Sequence, residues 1–257
     1  MAKLQLFTPV DPRTALEQQR AQELNFDPRA LPHLVRDPHW HVDHYRVSLP
    51  SEPTGEPSPG GSWSIARELS SVYEFVDPHT LRAFYDPGER FEGRTILLEI
   101  HFLRLRIYVG VRVRGQYDGY RSEGGRRARV WTWNYRTLAG HFEKGQIDYE
   151  VRKWLDSGEV EFRIDAVSRR ADADHLLVDL GFLLFGRRKQ MDFARSACER
   201  MGELTQMVLE GGLDPSFLRP ARGLTVRPQL PRLWISRRSS LGLRSRVPLG
   251  SDRRRRA

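Results

Sequence analysis

The chain has a single cysteine, Cys198, so it cannot form an intrachain disulfide and is suited to a reducing compartment. Long apolar runs are also missing. The longest, residues 176–185, is interrupted by Asp179 and is far shorter than the ~20 residues that a membrane-spanning helix needs. No apolar segment follows basic residues near the N-terminus, so we expect no signal peptide. Together these absences predict a cytoplasmic protein without a transmembrane segment.

The short motifs of common catalytic classes are absent as well. The sequence contains no phosphate-binding loop, no nucleophile elbow and no dinucleotide fingerprint. The densest set of metal-type ligands is His39, His41 and His44 with Asp37 and Asp43, and His39 and His41 would share one face of a strand. Prolines bound this segment and no second cluster accompanies it. We therefore predict no metal centre and no cofactor.

Positive charge is concentrated at one end of the chain. The formal net charge is +9. Residues 219–257 hold twelve arginines and one acid, Asp252, a net +11 that leaves −2 for residues 1–218. A proline-interrupted basic stretch is typical of a disordered tail. Two interpretations stay open: the arginines between Arg219 and Arg256 bind anionic lipid or nucleic acid through phosphate groups, or the tail is a solubilising extension.

Composition divides the chain into three parts. The hydrophobic fraction of 39% is below that of a fully globular chain, which indicates that some of the sequence is not packed. Residues 1–62 are predicted to form an N-terminal extension that ends in a Pro/Gly-rich linker at residues 51–62. Residues 63–212 are predicted to form the folded body, and residues 213–257 the disordered Arg-rich tail.

Strict alternation of apolar and polar residues predicts antiparallel strands in the body, each with one buried and one solvated face. Residues 95–102 and 103–113 alternate with opposite parity, so a turn or bulge is expected near residues 102–103. The clearest apolar positions further along the chain are Trp131, Trp133, Tyr135, Ile147, Tyr149, Val151, Val160, Phe162 and Ile164.

Three other segments are assigned by composition and period. Asp77 is expected to begin a short helix in which Leu81, Phe84 and Tyr85 share one face. Residues 115–127 are rich in Gly and Arg and are predicted to form a loop. The last apolar stripe has helical spacing and ends at Gly211. It consists of Met191, Ala194, Ala197, Cys198, Met201, Leu204, Thr205 and Val208.

These elements predict an α+β fold. A curved antiparallel sheet would be covered on its apolar face by a long C-terminal amphipathic helix of roughly 20 residues, which is about 30 Å long. A wide curved sheet is difficult for one helix to cover completely. We therefore expect a cavity between the sheet and the final helix, and Cys198 is expected to be part of the core rather than a nucleophile.

The segment between the strand that ends at Tyr135 and the strand that contains Ile147 carries a motif that resembles a known family. Residues 72–210 are similar to DUF1990, an uncharacterised family whose motif reads Y-G-T-L-P-G-H-P-E-x-G-E. The matching positions are Tyr135, Thr137, Leu138, Gly140, His141, Glu143 and Gly145. The sequence V-S-R-R at residues 167–170 resembles the family's F-S-R-P, and Gln190 lies where the final helix of the family often carries Gln.

This chain departs from the family pattern at four positions. Ala139 and Phe142 replace prolines, Gln146 replaces an acid, and Arg170 replaces a proline. The resemblance implies a fold similar to the START/Bet v 1 helix-grip proteins, which usually bind hydrophobic small molecules. It implies no established activity and assigns no catalytic residues.

The loop at residues 137–145 is the candidate site. In one interpretation a hydrophobic small molecule binds between sheet and helix, with Trp131, Trp133 and Tyr135 at its wall. His141, Glu143 and Arg169 would then supply polar contacts at the mouth of the cavity.

Two alternatives remain open for the same residues. His141 could act as a general acid/base that Glu143 orients, which would make the protein an enzyme. Alternatively, His141 and Glu143 bond only to the backbone of their own loop, and the aromatic residues are ordinary core.

Overall fold

A nine-stranded antiparallel sheet dominates the part of the chain that the computed structural model describes, which is residues 3–5, 11–102, 105–171, 187–219 and 223–231. Its strand order is β2-β8-β7-β6-β5-β4-β3-β9, and β1 pairs with β5 outside this series. The strands are β1 (Lys3–Gln5), β2 (His41–Leu49), β3 (Leu81–Tyr85), β4 (Thr95–Phe102), β5 (Leu105–Glu123), β6 (Arg126–Thr137), β7 (Glu143–Trp154), β8 (Val160–Arg170) and β9 (Thr225–Arg227).

Helices lie on both faces of the sheet. The helices are α1 (Pro12–Arg20), α2 (Leu31–Leu34), α3 (Ser62–Ser71) and α4 (Arg187–Leu209), with short 3-10 turns at Pro28–Ala30 and Pro215–Leu218. Two helices, α3 and the long α4, cover the main apolar face of the sheet, and α1 packs on its opposite face through Ala15 and Leu16. The long helix α4 packs on β2, β8 and α3. This arrangement confirms the predicted curved antiparallel sheet with a long C-terminal helix. In the described ranges, no helix is both long and apolar enough to cross a membrane.

The apolar stripe of α4 forms the contact with the sheet. Ala197, Met201 and Leu204 are completely buried, and Cys198 is buried beside them, as the period of the sequence predicted. Truncation of a buried leucine such as Leu204 to alanine typically costs about 2–5 kcal/mol, so this stripe is a major source of stability. Gly211, at a φ of 72°, ends the helix without the strain that a Cβ would bring.

Two segments that the sequence assigned to other structures are strands. The prediction of a helix after Asp77 is wrong, because the carboxylate of Asp77 accepts the backbone N–H of His79 in a single turn and the chain then enters β3. The loop predicted at residues 115–127 is also wrong. Gly124 and Gly125 both have positive φ and make the two-residue turn of a long β5–β6 hairpin.

The predicted N-terminal extension is not separate from the body. Strand β2 pairs with β8 along its whole length, from His41 opposite Ser168 to Leu49 opposite Val160. Glu52, in the expected linker, is nearly inaccessible and forms an ion pair with the fully buried ammonium of Lys153 at 2.9 Å. The sequence misplaced this boundary because the prolines and glycines of residues 51–62 suggested a flexible connection. Instead, the backbone N–H groups of Glu52 and Gly55 donate to the carbonyls of Gly158 and Leu155, which holds the segment against the β7–β8 turn.

The C-terminal tail was also predicted incorrectly from residue 213 to residue 231, apart from residues 220–222, which lie outside the described ranges. Strand β9 pairs with β3, and Arg227 within it is completely buried. Residues 232–257, which hold most of the predicted Arg-rich tail, also lie outside the described residues.

A buried carboxylate holds this C-terminal segment in place. Glu74 forms ion pairs with Arg227 at 3.0 Å and Arg200 at 3.4 Å, and all three side chains are at least 95% buried. The same carboxylate accepts the backbone N–H groups of Gln229 and Leu230. A charge so deeply buried is stable only when it is fully paired, and here the partners come from α4 and from the C-terminal segment.

Candidate functional site

A cavity of about 350 Å³ lies between the sheet and the first turns of α4. Apolar side chains from both layers form most of its wall, which is the arrangement that the predicted fold implied. The sheet contributes Tyr45, Leu81, Leu98, Ile100, Ile147, Ile164 and Ala166, and the helix contributes Phe193 and Ala194.

Several polar side chains also line the cavity. Among the described lining residues are three carboxylates, but neither lysine nor arginine. The acidic residues and histidines of the lining are Asp43, His79, His101, His141, Glu143 and Asp192. The candidate loop at residues 137–145 supplies two of these, His141 and Glu143, so the structure brings the predicted loop to the cavity.

Hydrogen bonds and one close approach fix the shape of this loop. The hydroxyl of Thr137 accepts the backbone N–H of Gly145 at 2.9 Å and donates to the side-chain oxygen of Asn25 at 2.6 Å. A Cβ at Gly145 would lie 2.2 Å from the carbonyl oxygen of Val167, so a side chain does not fit. Gly140 has a φ of 85°, which favours glycine. The glycines of the motif are therefore required by the backbone conformation of the loop.

His141 is a neutral residue in this site. Its side chain is 92% buried, and Nδ1 accepts the backbone N–H of Glu143 at 3.0 Å, which assigns the ring proton to Nε2. Burial lowers the pKa of His141 to about 3, since the charged imidazolium would be poorly solvated. The ring is therefore an uncharged hydrogen-bond donor at neutral pH.

Glu143 connects the loop to the helix. Its carboxylate accepts a hydrogen bond from the side-chain amide of Gln190, in the first turn of α4. Gln190 was noted in the sequence only through the family resemblance, and this contact gives it a structural role. The bond described between His141 and Glu143 runs through a backbone amide. Because His141 also has a strongly lowered pKa, the geometry gives no support to a general acid/base pair.

The three aromatic candidates lie in different surroundings. Tyr135 lines the cavity, whereas Trp131 and Trp133 are not among its described lining residues. Trp133 donates its indole N–H to the hydroxyl of Ser70 at 3.0 Å, in the interface between α3 and the sheet. Arg169 does not reach the cavity either, because it lies over the ring of Trp40 at 5.6 Å.

Several lining residues were missed by the sequence analysis. Asp43 and Tyr45 lie on the inner face of β2, a strand that was assigned to the N-terminal extension. Their alternation with His44 and Arg46 was the signal that could have identified them. His44 faces the other way and bonds to Asp165 at 2.6 Å, so the histidines of this segment do not converge. No group of three metal-type side chains is placed to hold a metal ion in the described part of the chain.

Comparison with known proteins gives a family but no activity. The profile of the domain of unknown function DUF1990 matches residues 25–200. No curated protein sequence matches.

Solved structures give only a remote likeness. Ara h 8.0201 has 8% identity and a TM-score of 0.36 over 66% of this chain and 99% of that protein. The major latex-like protein 151 of Panax ginseng also has 8% identity and a TM-score of 0.36, over 64% and 97%. Norcoclaurine synthase of Thalictrum flavum, in complex with dopamine and hydroxybenzaldehyde, has 11% identity and a TM-score of 0.32, over 76% and 100%.

Proposed function

Because this chain belongs to the DUF1990 family, whose function is unassigned, we propose a function from the cavity itself: the protein binds a hydrophobic or amphipathic small molecule between its sheet and α4. The observation that carries the proposal is the open volume of about 350 Å³ between the sheet and α4. Protein interiors normally contain few voids larger than a water molecule. Ligand pockets typically start at about 300 Å³.

The residues that line the cavity are suited to a ligand that is mainly apolar and carries a few polar groups. Ile100, Ile147 and Ile164 form an apolar part of the wall. Contact with apolar atoms there favours binding in proportion to the apolar area that is removed from water. His141 and Tyr135 supply hydrogen bonds at defined points. A ligand held in this way would have an apolar body and a small number of polar atoms.

The proposal is tested with N-phenyl-1-naphthylamine, an uncharged probe that fluoresces strongly in apolar surroundings. We expect saturable binding at one site per chain. The variant Ala166→Phe should remove that binding, because Ala166 lines the cavity and a phenyl ring would occupy the space. The matched control is Val167→Phe, which adds the same ring at the next residue of β8, on the other face of the sheet.

Two results would reject the proposal. Wild-type protein that never saturates with the probe would show that the cavity is not a binding site. Equal binding by the wild type and both phenylalanine variants would place the probe elsewhere on the surface. Native mass spectrometry of protein purified from its own host would then identify any resident ligand of a protein that passes both tests.

The remaining interpretations stay predictions. Binding of anionic lipid or nucleic acid by the Arg-rich tail concerns residues 232–257, outside the described residues. Arg227 is excluded from that role, because it is buried against Glu74. A cytoplasmic location also stays a prediction from the sequence.

A further inference from the structure

Three tyrosine hydroxyls meet in the core beside the cavity. Tyr73 follows α3, Tyr135 lies on β6 and Tyr149 lies on β7, and each pair of hydroxyl oxygens is 3.4 Å apart. All three side chains are at least 95% buried. Of the three, Tyr135 is the one that lines the cavity.

The three hydroxyls form only weak hydrogen bonds with one another. Ordinary O–H···O bonds have oxygen separations of about 2.7–2.8 Å, so contacts of 3.4 Å are weak. Tyr73 and Tyr149 can both donate to the oxygen of Tyr135. In that arrangement the hydrogen of Tyr135 is left to donate to another group. Two accepted bonds also polarise an O–H group and make it a better donor.

The backbone at Tyr73 indicates that this position is constrained. Its φ is 64°, in the left-handed region that costs a non-glycine residue roughly 1–2 kcal/mol. Strain of this kind persists only where the surrounding structure maintains it, and it is common at functional sites. Here it places the phenol of Tyr73 against Tyr135 and Tyr149. Burial raises the pKa of all three tyrosines, which keeps them protonated and able to donate.

The charges of the cavity indicate the kind of acceptor. Asp43, Glu143 and Asp192 line it, and neither lysine nor arginine is present in its described lining. A carboxylate ligand would therefore meet groups of like charge among the described lining residues. A neutral carbonyl oxygen accepts a hydrogen bond and carries no such penalty.

We propose that Tyr135, supported by Tyr73 and Tyr149, is a binding site for the carbonyl oxygen of a neutral, mainly apolar ligand. The inference rests on the proposed function of the cavity. It adds the chemical class of the ligand, an uncharged carbonyl compound, and the group that recognises it. Tyr73 and Tyr149 act through Tyr135 as positioning residues.

Two probes that differ at one atom test the site. 2-Acetylnaphthalene carries a carbonyl oxygen where 2-isopropenylnaphthalene carries a methylene group. We expect the wild type to bind the ketone about 3- to 10-fold more tightly than the alkene, the factor that one net hydrogen bond supplies. Tyr135→Phe should reduce this ratio to about one while the alkene still binds. The carbonyl stretching frequency of the bound ketone should be lower in the wild type than in Tyr135→Phe.

Further variants separate positioning from packing. Tyr73→Phe and Tyr149→Phe should each raise the carbonyl frequency part of the way, because they remove a donor to Tyr135. The control is Tyr117→Phe, which removes a hydroxyl that donates to the carbonyl of Tyr120 at 2.7 Å, on the β5–β6 hairpin and outside the described lining of the cavity. It should leave both the ratio and the frequency unchanged.

The outcomes distinguish this proposal from the broader one. If both probes bind equally to the wild type and to Tyr135→Phe, the cavity binds ligands and the hydroxyl site is refuted. If neither probe binds to the wild type, the function proposed for the cavity fails and the hydroxyl site fails with it. A ketone preference that persists in Tyr135→Phe would also overturn the assignment, since another donor would then be responsible.

Discussion

The buried neutral histidine predicts a specific loss of stability in acid. His141 has a pKa of about 3 in the folded chain, against about 6.5 for an unfolded one. Between these values the unfolded chain binds a proton that the folded chain does not. The free energy of unfolding therefore rises with pH across this window and falls as the solution is acidified.

The size of the effect follows from the two pKa values. Between pH 7 and pH 5 the contribution of His141 should fall by about 2 kcal/mol. A change of one unit in the folded pKa alters this figure little, because at pH 5 the folded ring is still unprotonated. At neutral pH the contribution is close to its maximum.

The variant His141→Asn isolates this contribution. An asparagine side-chain oxygen can accept the backbone N–H of Glu143 as Nδ1 does, but the amide does not titrate. Urea unfolding at pH 7 and pH 5 should show a smaller loss of stability in the variant, by about 2 kcal/mol. His33→Asn, which changes an exposed side chain on α2, serves as the control and should keep the wild-type loss. Equal losses in the wild type and His141→Asn would refute the reasoning.

Three further predictions concern the packing of the protein. In urea unfolding, Gly158→Ala should lower stability by about 1–3 kcal/mol more than Gly124→Ala. Both glycines have positive φ, but only at Gly158 would a Cβ contact backbone, 1.9 Å from the carbonyl oxygen of Glu52. Equal effects would show that the turn moves freely. Glu74→Gln should lower the free energy of unfolding by about 3–5 kcal/mol, because Arg200 and Arg227 would keep their charges in a buried site. The control Asp156→Asn, which removes an exposed ion pair, should change stability little. A small effect at Glu74 would mean that water reaches the arginines. Ellman's reagent should label Cys198 only at the rate of unfolding, since burial raises the pKa of the thiol to about 12, and rapid labelling of native protein would contradict the described packing of α4.

The sequence predicted those parts of the fold whose partners are close in the chain or whose period is regular. Apolar and polar residues alternate regularly in strands β7 and β8, and a short turn joins the two strands. Their pairing could therefore be predicted from the sequence. The stripe of α4 is long enough for its period to be clear. The glycine motif also predicted the loop at residues 137–145 as the candidate site.

Elements defined by distant partners could not be predicted in the same way. Strand β2 has few apolar residues, and it is a strand because β8, more than a hundred residues later, pairs with it. Arg227 has the composition of a solvated tail, but the carboxylate that buries it is Glu74. The lining of the cavity is also formed by residues that are far apart in the sequence. Asp43 and His79 reach it from segments that local patterns assigned to an extension and a helix.

The position of Glu74 also sets an order of assembly. During synthesis this carboxylate emerges long before Arg200, and Arg227 and the amides of residues 229 and 230 emerge later still. A nascent chain can form most of the sheet, but it would hold an incompletely neutralised acid in its centre until those last residues leave the ribosome. For the same reason, a recombinant fragment cut at the end of the family match, residue 200, would lack Arg227 and the two amides. An expression boundary for this protein therefore belongs after residue 231.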